Sequence, residues 1–139
     1  MSIINTNIAS SFLKFTFTDE DGDVVSSFRL NPADVKLSKR CHELSAFFAQ
    51  LEKEMPDETT LNDVIAFNDK IEEKFCYLLG YDVKDALFGQ IPATTIMGDG
   101  NMFALHVMEK IIEATEPELA KRKNSMASAA KKHTGKYKK

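Results

Sequence analysis

The apolar positions fall first into two short runs, Phe12-Leu13-Lys14-Phe15-Thr16-Phe17-Thr18 and Val24-Val25-Ser26-Ser27-Phe28-Arg29-Leu30, with Asp19-Glu20-Asp21-Gly22-Asp23 between them. Aromatic and β-branched residues in partial alternation, split by a turn containing Asp-Gly, predict a β-hairpin over about 12–30. Two strands alone are marginal in water, so the apolar face, with Phe15, Phe17 and Phe28 as its candidates, must pack on helices.

The period then changes. Leu37, Cys41, Leu44, Phe48, Leu51 and Met55 recur at helical spacing, and Leu61, Val64, Asn68, Ile71, Phe75 and Leu78 do the same. The first stripe predicts a helix over 32–55, opened by Asn31 as cap, Pro32 in the first turn and Asp34 at the positive end of the dipole. The second predicts a helix over 60–79, stopped by Gly80. Joined by a short loop, the two should pack antiparallel, seam to seam. Asn68 falls inside the second seam, where a polar side chain either fixes register or turns to water. Residues 81–89 read as one or two helical turns capped by Asp82, and 90–101 as a loop. A third helix over 100–114 carries Phe103, Leu105, Met108, Ile111 and Ile112. Thr115-Glu116-Pro117-Glu118 has the spacing of a capping box and predicts a kink or a fresh helix near 115.

The fold class that follows is α+β, mainly α: an N-terminal hairpin on a small helical bundle. Composition agrees with one domain, since 139 residues at 43% apolar can bury a core. Charge divides the chain. Residues 118–139 hold eight bases against Glu118, a balance of +7, while residues 1–117 hold ten bases and twenty acids, a balance of −10. We therefore read 1–117 as the domain and 118–139 as a basic helical or disordered tail with little to bury. Residues 1–10 read as a loosely held lead-in without the order of a signal peptide, and no apolar run suits a membrane span. Two cysteines without framework spacing, Cys41 and Cys76, point to a reducing compartment.

Candidate chemistry is sparse. Asp19–Asp23 lacks the sixth-position glycine and twelfth-position carboxylate of a calcium loop, where Val24 and Leu30 stand, and reads as the hairpin turn. Gly98-Asp99-Gly100-Asn101 before a helix matches neither a dinucleotide nor a phosphate-loop pattern, and reads as a helix-capping loop. His42, His106 and His133 have no partner at zinc-ligand spacing. A Cys-His pair built from Cys41 or Cys76 with His106 would need a reactive thiol. Both cysteines lie on apolar helical stretches, where thiols are usually inert and Cys41 reads as a small buried hydrophobe. The expectation is a protein without catalytic residues, cofactor or metal. The basic segment, with Lys121, Arg122, Lys123, Lys131 and Lys132, suits a solubilising tail, a docking arm for an acidic partner or a nucleic-acid contact. Tyr137 alone is available there for stacking on bases.

Four strings, in order, carry a resemblance: Phe28-Arg29-Leu30-Asn31-Pro32-Ala33-Asp34, followed by the Leu37/Arg40 helix, then Phe75-Cys76-Tyr77-Leu78-Leu79-Gly80-Tyr81-Asp82-Val83, Leu87-Phe88-Gly89, and Lys132-His133-Thr134-Gly135-Lys136-Tyr137. Together they resemble the tail assembly chaperones of phages and prophages of Gram-positive bacteria, encoded near the tape-measure protein. The likeness spans residues from about 12 onward, with Cys76 where an acidic residue is expected. It implies a non-enzymatic binder in the host cytoplasm that coats the tape-measure helix, with the tail tube protein as a further partner and self-association open. Holding such a helix needs apolar contact surface, for which Phe88, Met102, Phe103 and Met108 are the candidates, with Lys121, Arg122, Lys123, Lys131 and Lys132 as electrostatic contacts. The alternative is a small nucleic-acid-binding or regulatory protein that uses the same basic segment.

Overall fold

The computed structural model describes Ile3 and residues 12–137, with side chains as far as Lys132. The expected lead-in at 1–10, Ile3 apart, and the last basic residues, Lys138 and Lys139, lie outside the described residues. The protein is α+β and mainly α, with the order β1 (Leu13–Thr18), β2 (Val24–Leu30), α1 (Val35–Glu54), α2 (Leu61–Leu79), α3 (Lys84–Phe88) and α4 (Phe103–Tyr137).

β1 and β2 pair antiparallel with Phe15 opposite Phe28 and Phe17 opposite Ser26, and the register shifts between Phe17 and Thr18. The acidic turn folds on itself. Asp19 Oδ1 accepts the N–H of Asp21 at 2.9 Å and of Asp23 at 3.0 Å, and Gly22 takes φ 84°. The inner face of the hairpin joins a chain of aromatic contacts through the centre of the molecule. Phe15 stacks on Phe28 at 4.9 Å, Phe17 meets Phe103 edge-on at 5.2 Å, Phe103 meets Phe88 at 6.1 Å, and Phe88 meets Phe75 at 5.4 Å. Buried Ser26 donates its hydroxyl to the Leu87 carbonyl at 2.6 Å, tying β2 to α3.

Three boundaries differ from the sequence reading, two for a local reason and one through a contact distant in sequence. α1 begins at Val35 rather than 32, because Asn31–Asp34 closes a turn first. Asp34 N–H donates to the Asn31 carbonyl, and it is Asp34 Oδ1 that caps the helix by accepting the Lys36 N–H at 2.9 Å. The capping box belongs to Thr60 and Asp63, at the start of α2, not to Thr115 and Glu118. Thr115 instead turns its hydroxyl back to the Ile112 carbonyl inside α4. The third helix does not stop at 114: α4 runs from Phe103 through Pro117 to Tyr137. The reason lies on α1. Leu105 of α4 stands near Leu51 and Met55, while Arg122 donates to the Ala33 carbonyl, so α4 lies antiparallel along the whole of α1 and is supported past the proline.

The other predicted stops hold. Gly80, at φ 80°, closes α2 by returning its N–H to the Cys76 carbonyl, and Gly89 ends α3 with its N–H on the Asp85 carbonyl. The N-cap of α3 is Val83 rather than the expected Asp82, whose Oδ1 accepts the Lys84 N–H at 3.0 Å from one residue further out. The segment before α4 caps it with backbone carbonyls, Thr95 to the Phe103 N–H and Ala93 to the Ala104 N–H, while Ile96 and Met102 form an antiparallel bridge.

Candidate functional site

The α1–α2 seam is filled along only part of its length. Leu37, Cys41 and Leu44 of α1 and Ile71, Phe75 and Leu78 of α2 are buried in the common core. Toward the connecting loop the same stripes surface: Met55 is 46% and Leu61 74% exposed, and Val64 is exposed with them. Where the seam opens there is an apolar groove of about 380 Å³. Phe48, Ala49, Leu51, Glu52 and Met55 form its α1 wall, Phe67 and Ile71 its α2 wall, and Thr94, Met102 and Leu105 close the third side.

That third side is held by Asn68. Its Oδ1 accepts both the N–H of Thr94 at 3.0 Å and the Thr94 hydroxyl at 2.9 Å. Its Nδ2 donates to Glu72 Oε2 at 2.7 Å, and the same oxygen accepts the Ala93 N–H at 3.2 Å. The polar residue in the second seam therefore neither pairs with α1 nor simply faces water. It fastens the 91–102 segment to α2 as a groove wall.

Of the apolar contacts expected from the sequence, Met102 lines the groove. Phe88, Phe103 and Met108 are 3%, 2% and 7% exposed and belong to the core, and Phe103 also forms part of the wall of a shallow cleft with Phe17, Met97 and His106, away from the groove. Their aromatic and helical spacing looks the same for a core position as for a contact position. Phe48, Phe67 and Leu105 were missed as site residues. The available signal was length: the stripe of α1 continues to Met55, beyond the part that α2 covers.

The basic candidates separate as well. Arg122 is half-buried and turned inward onto the Ala33 carbonyl, and Lys121 pairs with Glu118 at 3.4 Å. Lys123, Lys131 and Lys132 are exposed on the part of α4 that runs beyond α1. At about 100° per residue they point in different directions around the helix, so they create a positive field rather than one charged face.

The thiols and histidines do not assemble a reactive centre among the described residues. Burial pushes the Cys41 thiol up to about 11, which suppresses the thiolate. Cys76 Sγ accepts the Val83 N–H at 3.5 Å. His106 Nε2 lies 2.9 Å from Asp99 Oδ2, not near a cysteine. The Asp99 carboxyl is held below its ordinary range first by the Asn101 N–H and then by His106. Among the described residues no group of three or more His, Cys, Asp or Glu is placed to hold a metal ion. No helix among them is long and apolar enough to cross a membrane.

No family model, curated protein or solved structure matches the chain.

Proposed function

We propose that this protein is a non-enzymatic binder that takes the apolar face of a partner helix into the groove between α1, α2 and the start of α4. The observation that carries the reading is the unfilled seam: two amphipathic stripes continue past the core and leave an apolar trough with a fixed third wall. A trough of this size takes a few side chains, as when anchors at i, i+3 or i+4 and i+7 of an amphipathic helix enter a groove. The exposed lysines of α4 supply attraction for an acidic or mixed-charge chain. Through the resemblance to phage tail assembly chaperones, the partner is a tape-measure protein in the bacterial cytoplasm. The binder keeps that long helix soluble until tail tube subunits assemble around it.

Co-expression tests this. A tape-measure protein from the same genome neighbourhood should be soluble only with this protein. Leu105→Asp, at the groove rim, should lose that effect while the variant itself stays folded. Failure of the intact protein across several tape-measure partners overturns the reading. One observation favours a nucleic-acid role instead: α4 beyond Glu118 is an unbroken helix with bases and no acid. Retention on heparin or DNA at physiological salt, lost on removal of 118–139 and indifferent to Leu105→Asp, would decide for it.

A further inference from the structure

We propose that the cleft between the β2–α1 corner and the end of α2 binds an oxyanion, a carboxylate or phosphate group carried on an organic body. This cleft is separate from the apolar groove and encloses about 400 Å³. Three elements bring their polar groups to it: Arg29 from β2, Arg40 from α1, and Tyr81 from the residues that follow α2.

Each guanidinium lies over an aromatic ring. Arg29 sits 4.9 Å from the centre of Tyr81, whose hydroxyl also accepts the Arg29 backbone N–H at 2.8 Å. Arg40 sits 5.3 Å from the centre of Tyr77. Stacking of this kind holds the plane of a guanidinium and leaves its N–H edge open, the edge that forks onto a carboxylate or phosphate.

Among the described residues no side chain or carbonyl is hydrogen-bonded to either guanidinium edge. Among the described residues the ion pairs are His106–Asp99, Lys110–Glu113 and Lys121–Glu118, so neither arginine has a carboxylate partner. Arg40 is half-buried, and its Nη1 comes within 3.8 Å of where a Cβ on Gly80 would stand. It is not needed to cap α2, because Gly80 does so with its own backbone. Asp34 is the acid that lines the cleft, and its Oδ1 accepts the Lys36 N–H at the start of α1. Two positive charges against one leave the cleft positive within a body whose residues 1–117 carry −10. Leu37 and Leu78, both buried, form an apolar floor beside the arginines, which is why the ligand has an organic part.

An NMR titration of the full chain at low ionic strength tests the site with three probes: inorganic phosphate, phenyl phosphate and an N-acetylated oligoglutamate peptide. The expected result is saturable movement of the Arg29, Gly80 and Tyr81 amides, with phenyl phosphate or the peptide binding more tightly than inorganic phosphate. Phenyl phosphate as the better ligand marks a small organic phosphate, and the peptide as the better ligand marks an acidic segment of a partner. Arg40→Gln should weaken binding about tenfold or more, and Arg40→Lys, which keeps the charge without the fork, should fall between. The Arg29→Gln/Arg40→Gln double variant should not bind. No saturable shift with any probe overturns the proposal. So does unchanged affinity in the double variant or, if that chain does not fold, in Arg40→Gln alone. Inorganic phosphate binding as tightly as both organic probes overturns the organic part. Leu105→Asp should leave all three titrations unchanged, so this site and the groove fail or stand separately.

Discussion

The two ends of the α1–α2 pair are built from the same repeat and have opposite fates. At one end Leu37, Cys41, Phe75 and Leu78 meet the hairpin, α3 and the aromatic chain, and are closed off from water. At the other, Phe48 and Met55 face Phe67, Met102 and Leu105 across open space, with Leu61 and Val64 exposed beyond them. The sequence pattern is indifferent to the distinction. What separates the ends is how many elements arrive: one has a third and fourth layer, and the other has only the start of α4 and a pinned loop. An amphipathic stripe states that a face is to be covered. It does not state by what.

The sharpest way to break this comparison is to truncate one large side chain at each end. Phe75→Ala should cost about 3–5 kcal/mol, the sum of lost transfer energy and the cavity left behind. Leu61→Ala should stay within about 0.5 kcal/mol, because its side chain is already largely in water. Urea denaturation of both variants, read at unchanged m, measures the difference; similar costs would mean that the open end is closed in solution. Asn68→Ala comes next, at about 1–2 kcal/mol, since it leaves the Thr94 and Glu72 groups without their shared partner. Its more telling readout is hydrogen exchange at the Thr94 and Ala93 amides, which should speed up while amides around Phe75 do not change.

The smallest effect concerns the open end alone. The Asp63 carboxyl is held below its ordinary value first by the Thr60 backbone N–H and then by the Thr60 side chain. A carboxyl lowered in the folded state stabilises fully above its unfolded value and loses that contribution as pH falls through the folded one. Helix content at the start of α2 should therefore weaken in acid below the ordinary carboxylate range. Asp63→Asn should flatten that limb, as a comparison of acid titrations by circular dichroism would show.

Most of the fold was legible because its signals are local. Asp21-Gly22 marks the hairpin turn, Gly80 marks the end of α2, and the two stripes mark their helices. The misreadings have two causes: the start of α1 and the place of the capping box turn on hydrogen bonds two or three residues long, and the length of α4 turns on a contact distant in sequence. Thr115 to Glu118 reads as a kink or a fresh helix near 115, whereas α1 supports α4 straight through Pro117, and the capping box stands at Thr60 with Asp63. The site was less legible than the fold. Phe88, Phe103 and Met108 have the composition of a contact surface, yet all three are buried, Phe103 against Phe17 and Phe88, and Phe88 against Phe75. The stacked arginines were invisible because Arg29 and Tyr81 lie 52 residues apart and meet only through the packing of β2 against the end of α2.

The bond from Arg122 to the Ala33 carbonyl joins positions 89 residues apart. A chain made from its N-terminus has the hairpin, α1 and α2 in hand long before the residue that closes this corner exists. Through that interval the side of α1 destined for α4 lies bare, next to the open seam. The groove with its third wall exists only once Met102 and Leu105 have been made, and the far end of α1 is covered last, when Arg122 reaches Ala33.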